Sequence, residues 1–268
     1  MKSPIRTKTL YLIGTIHQDL HGPERLEYIL EKVSPQIIAL EFSEDRAAQS
    51  SQRFSKKKVK SQIKKEVMQL NDKWDLSSAE QRTLTQIGVA RLSIIGYEFF
   101  CTHQYVRAHQ ETELKYIDLS MESPIAQITQ SYQLLYQELL EVPNYISRFK
   151  RIVRAGAAKL LKEEEANLEN EYNTFKRRKE TLRERINREC PGIDENNPLI
   201  QKYPQLLKLV NEVTSIKREQ WMAQKIRDAY CPTKKIVAIC GVGHLYLLAH
   251  LLSDLHPYTL HLNDYKKI

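Results

Sequence analysis

Four cysteines, Cys101, Cys190, Cys231 and Cys240, are scattered through 268 residues, and no two of them stand in a CxxC pair. That spacing argues against both a thiolate zinc site and a disulfide framework, and a reducing compartment is the simpler setting. Long hydrophobic runs are also scarce. The opening residues MKSPIRTKTLYLIG carry one short apolar stretch before Gly14, with no small-residue cleavage site behind it, so no secretory leader is expected. The one segment that a hydropathy scan would select is 236–253, which contains no Asp, Glu, Lys or Arg. Its length approaches the roughly 18 apolar residues of a membrane span. Gly241, Gly243, His244 and His250 nevertheless divide it into a buried strand and a following helix, so no transmembrane segment is expected and the expected location is cytoplasmic.

Nucleic-acid signatures are missing as well. The formal charge is +8, and much of it sits in RFSKKKVKSQIKK (53–65) and FKRRK (175–179). No RNP, zinc-finger or helix-turn-helix pattern accompanies these runs, and aromatics are not interleaved with them as a stacking platform requires. Solvated helix faces account for the charge, and nucleic acid is an unlikely partner. The 41% hydrophobic and 28% charged content is that of an ordinary globular chain able to bury a sizeable core.

Five short, nearly continuous apolar runs, 9–13, 36–41, 115–119, 235–240 and 258–262, have the pattern of strands covered on both faces. Between the first two, Gly22-Pro23 opens a helix in which Leu26, Ile29, Leu30 and Val33 recur at helical spacing. The chain thus begins as a βαβ unit. Val59, Ile63, Val67 and Leu70 mark a basic amphipathic helix, Ser77 with Glu80 forms a capping box, and Ser123-Pro124 opens a further helix. Residues 144–190 mix dense charge with spaced Leu, Ile, Val, Phe and Tyr, CPGIDENNP then breaks the pattern, and a last helix runs from about Leu199 to Tyr230. The expected architecture is a single α/β domain over 1–268: a mostly parallel central sheet flanked by helices, with helical insertions about 53–112 and a charged helical arm about 144–230.

The chemistry-bearing residues fall where predicted strands end. GTIH (14–17) and GVGH (241–244) are two copies of one device, an aliphatic strand, a glycine turn and a histidine. In a parallel sheet both imidazoles emerge at the carboxyl edge, where open α/β sheets bind ligands. Glu41 closes IIALE and Arg46 follows in EFSEDR; Asp118 ends KYIDLS; Glu98 stands in IGYEFF at the start of the preceding helix. Burying the Glu41 carboxylate unpaired would be costly, and Arg46 is its nearest cation in sequence. Two histidines and two carboxylates from separate elements form a mixed N/O donor set for a divalent metal, with zinc, manganese and iron all chemically suitable. Asp118 is read as a supporting or capping group. Asp19 and His21 are read as loop-to-helix residues, and His103, His109 and His250 as helix residues.

These motifs, in this order, resemble the TraB/PrgY/Tiki family within the erythromycin-esterase/ChaN-like superfamily. The resemblance is carried by LIGTIH, SPQIIALEFSEDR and KIVAICGVGHLYLL, by IGYEFFCTHQYVRAHQETELKYIDLS, and by REQWMA at 218–223, and it extends from about residue 9 to 252. Relatives usually continue the second GxxH with a glycine where this chain has Leu247, and the acidic residue after Arg218 is Glu219. The resemblance implies a metal-dependent hydrolase in which a metal-activated water attacks a carbonyl. His17 and His244 would be metal ligands, Glu41 and Glu98 a ligand and a general base in either order, and Arg46 and Arg218 would orient carboxylates or grip an anionic substrate group. The expected partners are a peptide or small carbonyl substrate and a second copy of the chain bound through the helical arm. The alternative is a non-catalytic, regulatory protein that captures a peptide or haem in the same cleft.

Overall fold

The computed structural model describes residues 9–50, 56–94, 96–119, 150–151, 153–179, 201 and 216–268. Its centre is a five-stranded sheet made of β1 (Leu10–Thr15), β2 (Ile37–Leu40), β3 (Glu113–Tyr116), β4 (Ile236–Gly241) and β5 (Tyr258–His261). The spatial order is β3-β2-β4-β1-β5 and every pair is parallel. The strands read as unbroken apolar runs because helices cover both faces. Leu10, Leu12, Ile37, Ala39, Ile236, Ala238 and Cys240 point to one side, and Ile13, Ile38, Leu40, Val237 and Ile239 to the other. Alternate residues therefore enter two separate cores.

The first core lies under α1 (Gly22–Val33), α5 (Tyr97–Ala108) and α6 (Ala157–Arg178). Pro23 fits the first turn of α1, where its missing N–H costs nothing. The helix stops at Ser34, whose left-handed backbone lets its N–H reach the Leu30 carbonyl at 2.9 Å. The second core lies under α7 (Ile216–Ala229) and α8 (Val242–Leu251), with Met222, Ala223, Ile226 and Ala229 buried on one side of α7.

The helices between the strands differ in what they do. A short α2 (Glu44–Ser50) follows β2, and α3 (Lys56–Trp74) then pairs with α4 (Ser78–Ile94), burying Ile63 and Val67 against Leu84 and Val89. The Ser77–Glu80 box closes as expected. Ser77 N–H donates to Glu80 Oε2 at 2.8 Å, and Glu80 N–H to Ser77 Oγ at 3.3 Å. Within 53–112, α5 belongs to the main core, with Tyr97, Phe99, Cys101 and Tyr105 buried; within 144–230, α7 lies on the sheet. Helix α6 is charged on most sides but buries Leu168, Tyr172 and Phe175, an i, i+4, i+7 stripe. The helix start at Ser123-Pro124, Cys190 and the CPGIDENNP break lie outside the described residues.

The charge-free stretch 236–253 divides into β4 and α8, and among the described residues no helix is long and apolar enough to cross a membrane. At the mouth of α1, Gly22 is required by packing. A Cβ there would come within 2.4 Å of the ring of Tyr97, which is itself buried and donates its hydroxyl to the Ile16 carbonyl. Gly22→Ala is expected to lower stability by about 1–3 kcal/mol through overpacking, despite alanine's better helix propensity. Urea unfolding of the two proteins measures it.

Candidate functional site

Strand register collects the site. Thr15 pairs with Gly241 across β1 and β4, and Leu40 pairs with Ile239 on β4 and with Tyr116 on β3. The residues just beyond these pairs, Glu41, His17, Asp118 and the first turn of α8 with His244, consequently share the carboxyl edge. The backbone holds this extension: Glu41 N–H donates to Ile239 O at 2.9 Å, and Asp118 N–H to Phe42 O at 3.1 Å.

Glu41 is buried at the middle of the cluster. Its Oε1 accepts from Arg218 Nη2 at 2.6 Å and its Oε2 from the Gly241 N–H at 2.6 Å. Burial alone would raise its pKa, but the positive fields of His244, Arg218 and His17 and the Gly241 amide outweigh it and hold the carboxyl well below the usual carboxylate range. Gly241 keeps this centre open. A Cβ at that position would lie 3.5 Å from Glu41 Oε2, 3.6 Å from His244 Cδ2 and 3.7 Å from His17 Nε2, so these three side chains border one small space.

Both histidines are held by the same device. His17 Nδ1 lies 2.7 Å from Glu98 Oε1, and the same oxygen accepts from Thr15 Oγ1 at 3.0 Å. The hydrogen bond to Glu98 is the main cause that raises the His17 pKa to about 9, against opposing burial of its inner edge; 67% of the side chain is exposed. His244, fully inside, has Nδ1 at 2.7 Å from Glu219 Oε1. Its Nε2 lies 3.2 Å from Arg218 Nη1 and 3.4 Å from Glu41 Oε1.

Arg218 links the carboxylates. Its Nε and Nη2 grip Asp118 Oδ1 and Oδ2, both at 2.8 Å, while Nη2 also reaches Glu41. Burial would lower its pKa, and the fields of Glu41 and Asp118 more than reverse that. Asp118 thus holds Arg218, and Arg46 pairs with Asp118 rather than with Glu41. The Arg46 guanidinium lies 4.2 Å from the Phe42 ring centroid and Nη1 is 3.7 Å from Asp118 Oδ2.

The structure thus brings His17, His244, Glu41 and Arg218 together, places Glu98 behind His17, and leaves Arg46 further out. Elsewhere, His21 pairs with Glu165 at 2.8 Å, His103 with the Tyr116 hydroxyl at 2.6 Å, His109 stacks on Tyr105, and His250 is exposed on α8. Leu247 sits one turn beyond His244, half-buried. Sequence reasoning passes over Thr15 and names Glu219 only as the acidic neighbour of Arg218. A signal for Glu219 exists, because residues 219, 222, 223 and 226 fall on one face of a helix and the last three are its buried stripe. Among the described residues, no set of three His, Cys, Asp or Glu side chains is already clustered for a metal ion.

The sequence profile of the TraB/PrgY/gumN family matches residues 5–255, and the chain belongs to that family. Neither the curated proteins nor the solved structures yielded a match.

Two outcomes follow from these contacts. Asp118 is completely buried in its two-pronged grip on Arg218, so Asp118→Ala leaves a buried guanidinium half-paired and is expected to cost about 3–5 kcal/mol in denaturant unfolding. At the same sheet edge, His261 is buried with Nε2 against the Tyr246 hydroxyl at 2.8 Å, and burial, aided by Lys176 and Lys267, lowers its pKa to about 4. The unfolded chain then binds the His261 proton more readily than the fold does, so stability falls as pH drops from about 6.5 to 4, by on the order of 3 kcal/mol from this group. His261→Gln should flatten that part of the stability–pH curve relative to the parent; parallel curves would refute the assignment.

Proposed function

We propose that this carboxyl edge is a divalent-metal hydrolase site acting on a peptide or another carbonyl compound, consistent with the family to which the chain belongs. The observation that carries this reading is the matched pair of histidines. Each presents Nδ1 to a buried carboxylate, Glu98 for His17 and Glu219 for His244, and each leaves Nε2 on the side of Glu41 and the Gly241 gap. A carboxylate behind Nδ1 fixes the tautomer and raises the basicity of Nε2, the usual arrangement for metal-binding histidine. The donor set of two imidazoles and one carboxylate fits zinc, manganese or iron. When bound, the metal would acidify a water and polarise the scissile carbonyl.

The chain's own residues divide the remaining work. Glu41, held strongly acidic by Arg218 and the Gly241 amide, is a poor proton acceptor at neutral pH and therefore suits the role of charged ligand better than that of general base. Glu98 is committed to His17 and Thr15 and acts by orienting. Arg218 neutralises Glu41 and Asp118, leaving Arg46, at the rim over Phe42, as the cation that grips an anionic group of the substrate.

One contact favours the second reading, capture of a peptide or haem without turnover. Arg218 lies within 3.2 Å of His244 Nε2 and 2.6 Å of Glu41 Oε1, on the faces that a metal would use. Metal analysis after chelator dialysis, calorimetric titration with zinc, manganese and iron, and peptide-library cleavage separate the two. The expected result is one metal per chain, metal-restored cleavage, and affinity lowered about 10–100-fold by Glu219→Gln. Ligand capture that is indifferent to chelator, with no stoichiometric metal and no turnover, would instead establish the binding protein.

A further inference from the structure

The charged helix α6 is joined to the loop that carries His17 by a single ordered stripe. Glu165, Glu169, Tyr172 and Lys176 follow one another at spacings of four, three and four, which sets them on one helix face. Glu165 meets His21 Nε2 at 2.8 Å, and Glu169 accepts from Arg25 Nη2 at 2.7 Å and from Asn263 Nδ2 at 2.6 Å. Lys176 pairs with Asp264 at 2.8 Å. Between them Tyr172 is wholly buried, and its hydroxyl both accepts the Ile16 N–H and donates to Asp19 Oδ2, each at 3.1 Å.

Those two bonds fall on either side of His17. The carbonyl of Ile16 is occupied too, by the Asp19 N–H at 2.9 Å and the Tyr97 hydroxyl at 3.3 Å. Asp19, also buried, accepts the His21 N–H at 2.9 Å and pairs with Arg25 at 3.0 Å. Both polar groups of the residue before His17 are thus pinned, and the pin on its N–H side comes from a residue 156 positions away. We propose that Tyr172 is a positioning residue for His17: through its hydroxyl, α6 sets the loop that aims the His17 imidazole at the Gly241 gap. This rests on the reading of His17 as a metal-binding group.

Without the hydroxyl, the half-buried Ile16 N–H and the buried Asp19 Oδ2 each lose a partner, a cost that the loop relieves by shifting. Tyr172→Phe tests this, with Leu168→Ala as the comparison, because Leu168 is buried from the same helix but makes no bond to the loop. The probes are Co(II) affinity, the visible Co(II) spectrum, and the ring proton–nitrogen correlations of His17 in metal-free protein. The expected result is a Co(II) affinity about tenfold weaker in Tyr172→Phe with altered bands and shifted His17 correlations, whereas Leu168→Ala loses thermal stability and keeps all three. If the parent binds Co(II) and both variants match it, the proposal is overturned. If the parent does not bind Co(II), the metal reading falls and the His17 correlations decide: displaced in Tyr172→Phe alone they uphold the positioning role, unchanged they overturn it.

Discussion

The buried guanidinium of Arg218 is the constraint on which the carboxyl edge depends. Parallel pairing of β2 with β3 and β4 drives Glu41 and Asp118 out of their strands side by side, into a region that the second core keeps dry. Two desolvated carboxylates cost several kcal/mol each unless a cation sits between them. Arg218 is that cation, and its planar fork spans both in a way that a lysine's point charge would not. The demand then propagates. To deliver the guanidinium, α7 must start at the sheet edge, and this puts the next residue, Glu219, against His244.

From this follows a symmetry that neither histidine has alone. His17 hangs from the end of β1 and His244 from the first turn of α8, yet both are held through Nδ1 by a carboxylate from a neighbouring helix. Glycine at 241 leaves open the space that the two imidazoles and Glu41 border, where a Cβ would stand in van der Waals contact with all three. The same glycine donates its N–H to Glu41 where the α8 dipole begins, which adds to the field that keeps the carboxylate ionised.

The sheet was largely legible because coverage on both faces writes strands as continuous apolar runs, and all five expected runs overlap the observed strands. The third shows the limit: the run 115–119 is centred beyond β3, which pairs over Glu113–Tyr116 and lies at the edge, so its residues are only partly buried and leave a weaker pattern. The edge position of His17, His244, Glu41 and Asp118 was legible from strand ends. Their partners were not. Glu41 stands five residues from Arg46 but pairs with Arg218, 177 positions away, because the register of three strands, and no local spacing, decides which cation reaches it. Glu98 has the residue type of a ligand, and its contact with Nδ1 of His17 rests on a distance that periodicity does not contain.

Charge in the helical segment has a related lesson. A mixed run such as KEEEANLENEYNTFKRRK has the composition of a solvated arm, and most of it is solvated. Yet the residues spaced by four, three and four form ion pairs and hydrogen bonds with the His17 loop, α1 and the C-terminal turn, while the neighbouring Leu168, Tyr172 and Phe175 anchor the helix in the core. Surface ion pairs of this kind contribute little stability individually. Their value here is geometric: they fix the rotation of α6 about its own axis, and that rotation determines whether the one buried hydroxyl on the stripe faces Ile16 and Asp19. A helix bound by apolar contacts alone could turn by a fraction of a residue at small cost, and the loop before His17 would lose its anchor.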